Sequence, residues 1–356
     1  SRLAWSDESQ RRPFGQAVNG DTRRTLYGEL SANQTTTHHA LVAGVALAQN
    51  RYAVDQLARL DGTNSISGLF VQDTYAPVAP LSGTINGRCD WSNRFGAICS
   101  PRLSLLATTG AVWSARLSGG TGWFAPLALT DETETFDLAR VFVPRSLIAE
   151  RGSSLSLDIT ATRGPLQVNG TLFQNHVKDP VGIQPIAGDT TGAVNVVNAL
   201  GPLATHGGEL FAVYNAEPVV ATAYYAVTRS REVSAETGRT RELPLTPRET
   251  AGLDFALEED ESGAYGAIEI FYTGRQALED DPYATISRPF TTLGLLFAKQ
   301  VGRATLFLNG ENLTDVRLTN YQPLVRQRIG EGGSWTVDPW APLEGRRVNA
   351  GLKWRW

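Results

Sequence analysis

The final nine residues alternate apolar and polar side chains without a break: Val348, Ala350, Leu352, Trp354 and Trp356 fall on one side, Asn349, Lys353 and Arg355 on the other. Successive Cβ atoms of a strand point to opposite faces, so strict alternation predicts a strand whose two faces meet different surroundings. The same period recurs about fifteen times along the chain, and the polar side stays polar each time. Leu155, Leu157, Ile159 and Ala161 oppose Ser156, Asp158 and Thr160; Leu166, Val168 and Leu172 oppose Gln167, Asn169 and Thr171. Ala221, Ala223 and Tyr225 oppose Thr222 and Tyr224, and Ile268 and Ile270 oppose Glu269. Such a pattern confines the chain to antiparallel sheet with two unlike faces.

The connections carry a second signal. Every other link is short, as at Gly302, Arg163-Gly164-Pro165 and Thr108-Thr109-Gly110, and the links between them are mostly long, as from Val316 to Leu343 or Lys178 to Thr205. Short turns at one rim and long loops at the other describe an up-and-down meander of the outer-membrane kind. Strands of roughly ten residues, rising about 3.3 Å each and tilted near 40°, give an apolar band about 25 Å tall. The stretch from Phe136 to Arg151 is the one place where a short helix is expected, interrupted by Pro144.

Composition is compatible with this reading. A chain of 356 residues suits one large barrel or roughly two or three soluble domains. Hydrophobic residues make up 42%, and no run approaches the roughly 18 apolar residues of a membrane-spanning helix. Barrels keep polar residues in the lumen, so that absence does not argue against a membrane. Asp158, Glu209, Asp254, Glu269, Glu311, Lys353 and Arg355 on the polar faces would be costly in a dry core, so those faces must meet water. The net charge of −4 gives no reason to expect nucleic acid. The sequence has no Met and opens without an apolar leader, so it is expected to be the later part of a longer chain. Cys89 and Cys99 are spaced for a disulfide across a short hairpin loop, which needs an oxidising compartment; two unpaired buried thiols are the alternative.

Several residues give the pattern a family likeness. Leu308-Asn309-Gly310-Glu311-Asn312-Leu313-Thr314-Asp315 enters a long loop holding Tyr321, and Gly345-Arg346-Arg347-Val348 opens a last strand ending in Trp356. Ser100-Pro101-Arg102-Leu103-Ser104-Leu105 precedes Arg116 to Pro126, with its Gly-Thr-Gly-Trp-Phe-Ala-Pro segment. From Arg23 to Trp356 the chain resembles the C-terminal part of the β-barrel domain of a TonB-dependent outer-membrane receptor. The resemblance implies an all-β, transmembrane, antiparallel barrel of twenty-two strands, of which about fifteen are present, with residues 1–356 forming barrel and the plug and first strands absent.

It further implies a cell outer-membrane location in a Gram-negative-type bacterium and uptake of a scarce ligand, most often a ferric siderophore. The implied partners are outer-membrane lipid, the TonB energy-coupling complex through the missing N-terminal part, and the barrel assembly machinery, which would recognise the terminal aromatic Trp356. Trp123, Phe124, Tyr321, Trp335 and Trp340, with Arg326 and Arg328, are the loop residues suited to an anionic or aromatic ligand, since aromatic rings offer flat apolar platforms and Arg grips carboxylates. Loop packing or an interfacial girdle is the plainer role for the same aromatics.

Nothing points to catalysis, a cofactor or a metal. Gly119-Gly120-Thr121-Gly122 lacks the Lys and the helix of a phosphate loop, and His38, His39, His176 and His206 are scattered without ligand spacing. No nucleophile elbow is present, which leaves a barrel enzyme without support. A passive porin-type channel is the alternative function.

Overall fold

The structure, a computed structural model, describes residues 1–14, 17–127, 133, 138–144, 146–189, 192–234, 237–259, 263–279, 281–327 and 336–354. Trp356, expected to be an assembly signal, lies outside them. The chain is almost entirely strand. The first seven are β1 (Arg2–Phe14), β2 (Ala17–Thr35), β3 (His39–Val54), β4 (Gly62–Val78), β5 (Leu81–Ser92), β6 (Gly96–Thr109) and β7 (Trp113–Phe124). A short β8 (Val141–Phe142) precedes β9 (Glu150–Arg163) and β10 (Leu166–Lys178), followed by β11 (Val181–Pro185) and β12 (Val194–Asn198). Then come β13 (Leu203–Ala216), β14 (Val219–Val233), the two-residue β15 (Thr240–Arg241) and β16 (Glu249–Glu259). The last four are β17 (Ala264–Thr273), β18 (Phe290–Val301), β19 (Ala304–Glu311) and β20 (Arg347–Trp354).

The long strands form one antiparallel meander in chain order. From β1 to β7 each pairs with the next. The order continues through β9, β10, β13, β14 and β16. It ends on β17, β18, β19 and β20. Among the described residues β1 and β20 are not paired with one another. The expected strand near Leu26 extends into a full hairpin with β1, a strand the alternation did not disclose.

Short turns gather at one rim. At two of them, Gly302 (φ 60°) and Gly164 (φ 57°) occupy the first central position of a two-residue connection. That position needs positive φ in a type II′ hairpin turn, which Gly adopts without strain. The opposite rim carries the long loops. The short helix expected between Phe136 and Arg151 is not found in the described part of that stretch. Leu138–Arg140 makes a single 3₁₀ turn and runs into β8. The carbonyls of that turn are satisfied from outside by Arg59, so no helix is required there.

Registers confirm the two faces. Leu117 lies opposite Leu157, which lies opposite Leu172, and beside them Ser118 faces Ser156 while Asp158 faces Thr171. Leu172 is 62% exposed and Leu352 59%, and the outward row continues through Leu155, Leu210, Phe297 and Val348. The inward rows pair by hydrogen bonds: Thr74 with Thr84 at 2.9 Å, Ser104 with Ser118 at 2.9 Å, and Thr171 with Asp158 at 2.9 Å. Tyr75, Trp113, Tyr214 and Trp354 face outward near the short-turn rim, where a membrane interface favours amphipathic rings. Buried apolar residues are found chiefly in the long loops, not within the sheet.

Candidate functional site

The inward wall of β2 to β5 narrows to a charged row below the long-loop rim. Register places Glu29, Ala46, Gly68 and Asp90 side by side across four strands. The two small residues in the middle leave room for Arg88 to lie flat. Its Nε donates to Asp90 at 2.8 Å and its Nη2 stands 2.8 Å from the same carboxylate. A Cβ on Gly68 would come within 2.3 Å of Asp90 Oδ1 and 2.8 Å of Arg88 Nη2, so the pair depends on glycine there. Tyr27 donates to Glu29 at the far end of the row.

Trp123 completes this wall from β7. Its indole Nε1 donates to Asp90 Oδ2 at 3.0 Å, leaving Asp90 only 5% exposed. The indole also meets Phe95 edge-on at 6.3 Å, and the Arg94 guanidinium lies 5.2 Å above the Phe95 ring. Phe124, its neighbour, stays 54% exposed at the mouth. Cys89 and Cys99 are direct cross-strand partners on β5 and β6, joined by a disulfide that braces the hairpin presenting Arg94 and Phe95.

Two packed lobes are built from the long loops. In the first, β11 and β12 form a hairpin whose second strand pairs in parallel with β8. Leu60, Leu138, Val141, Leu147, Val194 and Val196 fill its core against Tyr52 and Val54 at the top of β3. Arg59 holds this lobe, donating to the carbonyls of Leu138 (3.1 Å), Ala139 (2.8 Å) and Val141 and lying 4.8 Å over the Phe142 ring.

The second lobe gathers three of the loop residues singled out in the sequence. Trp340, 5% exposed, packs 5.2 Å from Tyr321 and 6.4 Å from Phe290, over Leu318 and Val337. Arg326 is 8% exposed and its Nε donates to the Thr336 carbonyl at 2.9 Å. Gln276 donates to the Trp340 carbonyl at 3.1 Å and Gln322 to Asp281 at 2.6 Å. Burial pushes the Asp338 carboxyl up; Glu279 and Asp281 push it further, and Arg326 opposes them. Trp123 and Phe124 thus belong to one wall, and Tyr321, Arg326 and Trp340 to a lobe on the other loops. Arg328 and Trp335 lie outside the described residues.

The Asn-Leu-Thr-Asp segment joins β19 to β20. Asn312, at φ 47°, donates to the carbonyls of Val316 at 2.8 Å and Glu344 at 3.0 Å. Asp315 accepts from the Arg346 amide at 3.0 Å; this bond, with the Arg317 and Arg346 guanidinium groups, holds its carboxyl below the ordinary range. Sequence reasoning missed Arg88, Asp90, Arg94 and Phe95. The available signal was their position on and just beyond the cysteine-bracketed strand.

These features meet a known pattern. A family model described as TonB dependent receptor-like, beta-barrel, matches residues 2–313. The chain belongs to that family. The match begins twenty-one residues before the Arg23 limit of the sequence resemblance and takes in β1. TonB-dependent receptor barrels are outer-membrane proteins of Gram-negative bacteria.

Solved structures share the fold. The FrpB iron transporter from Neisseria meningitidis (F3-3 variant) superposes with a TM-score of 0.72 at 14% identity, covering 94% of this chain and 55% of that one. A mutant of the ferric enterobactin receptor PfeA from Pseudomonas aeruginosa gives 0.70 at 15%, covering 94% and 54%. The siderophore receptor PirA from Acinetobacter baumannii gives 0.70 at 15%, covering 95% and 55%. The chain therefore spans about half the length of these TonB-dependent neighbours. No curated protein sequence matches it.

Proposed function

We propose that this chain forms barrel wall in an outer-membrane receptor that takes up a scarce ligand by TonB-dependent transport, with a ferric siderophore as the ligand class. The observation behind this reading is the inversion of the sheet: its exposed face carries rows of large apolar side chains on strand after strand, and its opposite face is a hydrogen-bonded polar lining. Lipid outside and water inside is the surrounding that satisfies both faces at once. The ligand class draws on the neighbours, which are an iron transporter, a ferric enterobactin receptor and a siderophore receptor.

In this reading residues 1–356 are all barrel, and the plug and the TonB contact belong to the portion of such receptors that the chain does not span. Trp123 and Phe124, with Arg88 and Arg94, line the inner approach for an anionic, aromatic ligand, Tyr321, Arg326 and Trp340 shape the second lobe, and Arg328 and Trp335 are further ligand contacts in this reading. Trp356 serves barrel assembly. Iron uptake from a ferric catecholate siderophore, in iron-limited cells with the gene intact or deleted, tests the proposal. Loss of uptake on deletion, and equal loss when the energy-coupling complex is disabled, supports it. Uptake that survives loss of the coupling complex would instead identify a passive porin.

A further inference from the structure

The outward face changes character at one height on four adjacent strands. Going toward the long loops, β10 presents Leu172, Gln174, His176 and Lys178, and β14 presents Tyr225, Val227, Arg229 and Arg231. Register sets Arg151 of β9 opposite Lys178, His206 of β13 opposite Arg229, and Ala204 opposite Arg231. Leu155 shares the register row of His206 and Arg229, and below that row run the apolar Leu157, Leu172 and Leu210. Three Arg, one Lys and two His thus occupy about 15 Å of sheet width, at roughly 4.8 Å per strand.

Among the described residues, one acidic side chain pairs with this patch from the same face. Glu249 of β16 stands 3.9 Å from Arg229. Among the described residues, Arg151, Lys178 and Arg231 have no ion pair, although all three are exposed. Two outward charges elsewhere show the matched arrangement: Arg24 is bonded to Asp7 at 3.1 Å, and at the opposite rim His39 is bonded to Asp73 at 2.8 Å. The overall net charge of −4 conceals this local excess.

We propose that this patch is a binding site for the phosphate groups of an outer-leaflet lipid headgroup. The inference rests on the barrel reading, which puts the apolar rows in the acyl layer and so sets the patch at headgroup height. Arg and Lys are the side chains that bind phosphate through charge-assisted hydrogen bonds, and Leu157, Leu172 and Leu210 below offer seats for the attached chains. A lipid carries both parts; free phosphate uses only the first.

The test uses the full-length receptor in non-ionic detergent, with lipid retention read by native mass spectrometry. Probes are diphosphorylated lipid A, its dephosphorylated counterpart and inorganic phosphate. The wild type should retain the diphosphorylated lipid over both controls. Each lost cation weakens retention roughly fivefold, so Arg151→Gln, Lys178→Gln and Arg231→Gln together should weaken it about 100-fold. The doubly conservative Arg151→Lys, Arg231→Lys variant should keep most of it. Heat-modifiable gel mobility checks that each variant is a folded barrel. Equal retention of both lipids, or a folded triple variant that binds like wild type, overturns the site alone. Retention of inorganic phosphate to the same degree overturns the lipid assignment. A wild-type protein that never enters detergent or membrane overturns the barrel reading and the site with it.

Discussion

Asp90 collects its partners from two directions: Arg88 on its own strand and the Trp123 indole two strands away. Asp90→Ala would leave both donors without their acceptor, at a cost of about 1–3 kcal/mol, with the lower end favoured because Arg88 reaches partly into water. Urea unfolding of the detergent-solubilised barrel should show that loss, and Gly68→Leu, which displaces the pair, should show a similar one. An unchanged unfolding midpoint in both would mean that the pair is ornamental. Trp123 could be picked from the sequence because it opens a long link and its ring offers a flat apolar platform. Asp90 and Gly68 could not, since their contact is a matter of register across strands. Trp340 looked like a ligand platform for the same reason as Trp123, yet its ring is packed in a lobe core.

Asp338 supplies a pH test at the same scale. Its carboxyl titrates above the ordinary range in the folded loop, so the folded state holds the proton more tightly than the unfolded one. Stability of the second lobe therefore falls as pH rises through the window between the ordinary and the raised value, and stays lower above it. Asp338→Asn should slow proteolytic nicking of residues 312–346 at neutral pH and have no effect at pH below the ordinary carboxylate range. Faster nicking of the variant at neutral pH would contradict the assignment.

At the scale of elements, legibility followed solvent contrast. Strands crossing the apolar band showed their period because one face is oily and the other wet. β1 did not, because its outward side passes from Leu3 and Trp5 to Asp7, which pairs with Arg24, and both faces become polar there. The first lobe was read as long links with one short helix because β8, β11 and β12 are two to five residues long, too short to show a period. Arg59 joins its carbonyls from outside. Arg59→Ala should loosen residues 138–142 by about 1–3 kcal/mol, seen as faster amide exchange there with β9 and β10 unaffected. Unaltered exchange would show that apolar packing alone holds the lobe.

For the whole molecule, the decisive property is which face meets lipid. Leu210→Arg, one register row deeper in the apolar band than Leu172, should cost about 2–4 kcal/mol in vesicle-embedded barrels, whereas Thr171→Arg, turned inward beside Asp158, should cost little. Urea titration of the two variants in the same vesicles gives the comparison, and equal costs would mean that the faces are not so distinguished. The family and its fold were legible because alternation and loop asymmetry span the chain; the mouth was not, because it is assembled from β2, β5 and β7. The most direct measurement labels Leu172→Cys and Thr171→Cys, one at a time, with a nitroxide in lipid vesicles and compares relaxation by oxygen and by a water-soluble nickel chelate. The label at 172 should respond to oxygen and be shielded from nickel, and the label at 171 the reverse; nickel reaching position 172 as readily as position 171 would contradict the barrel.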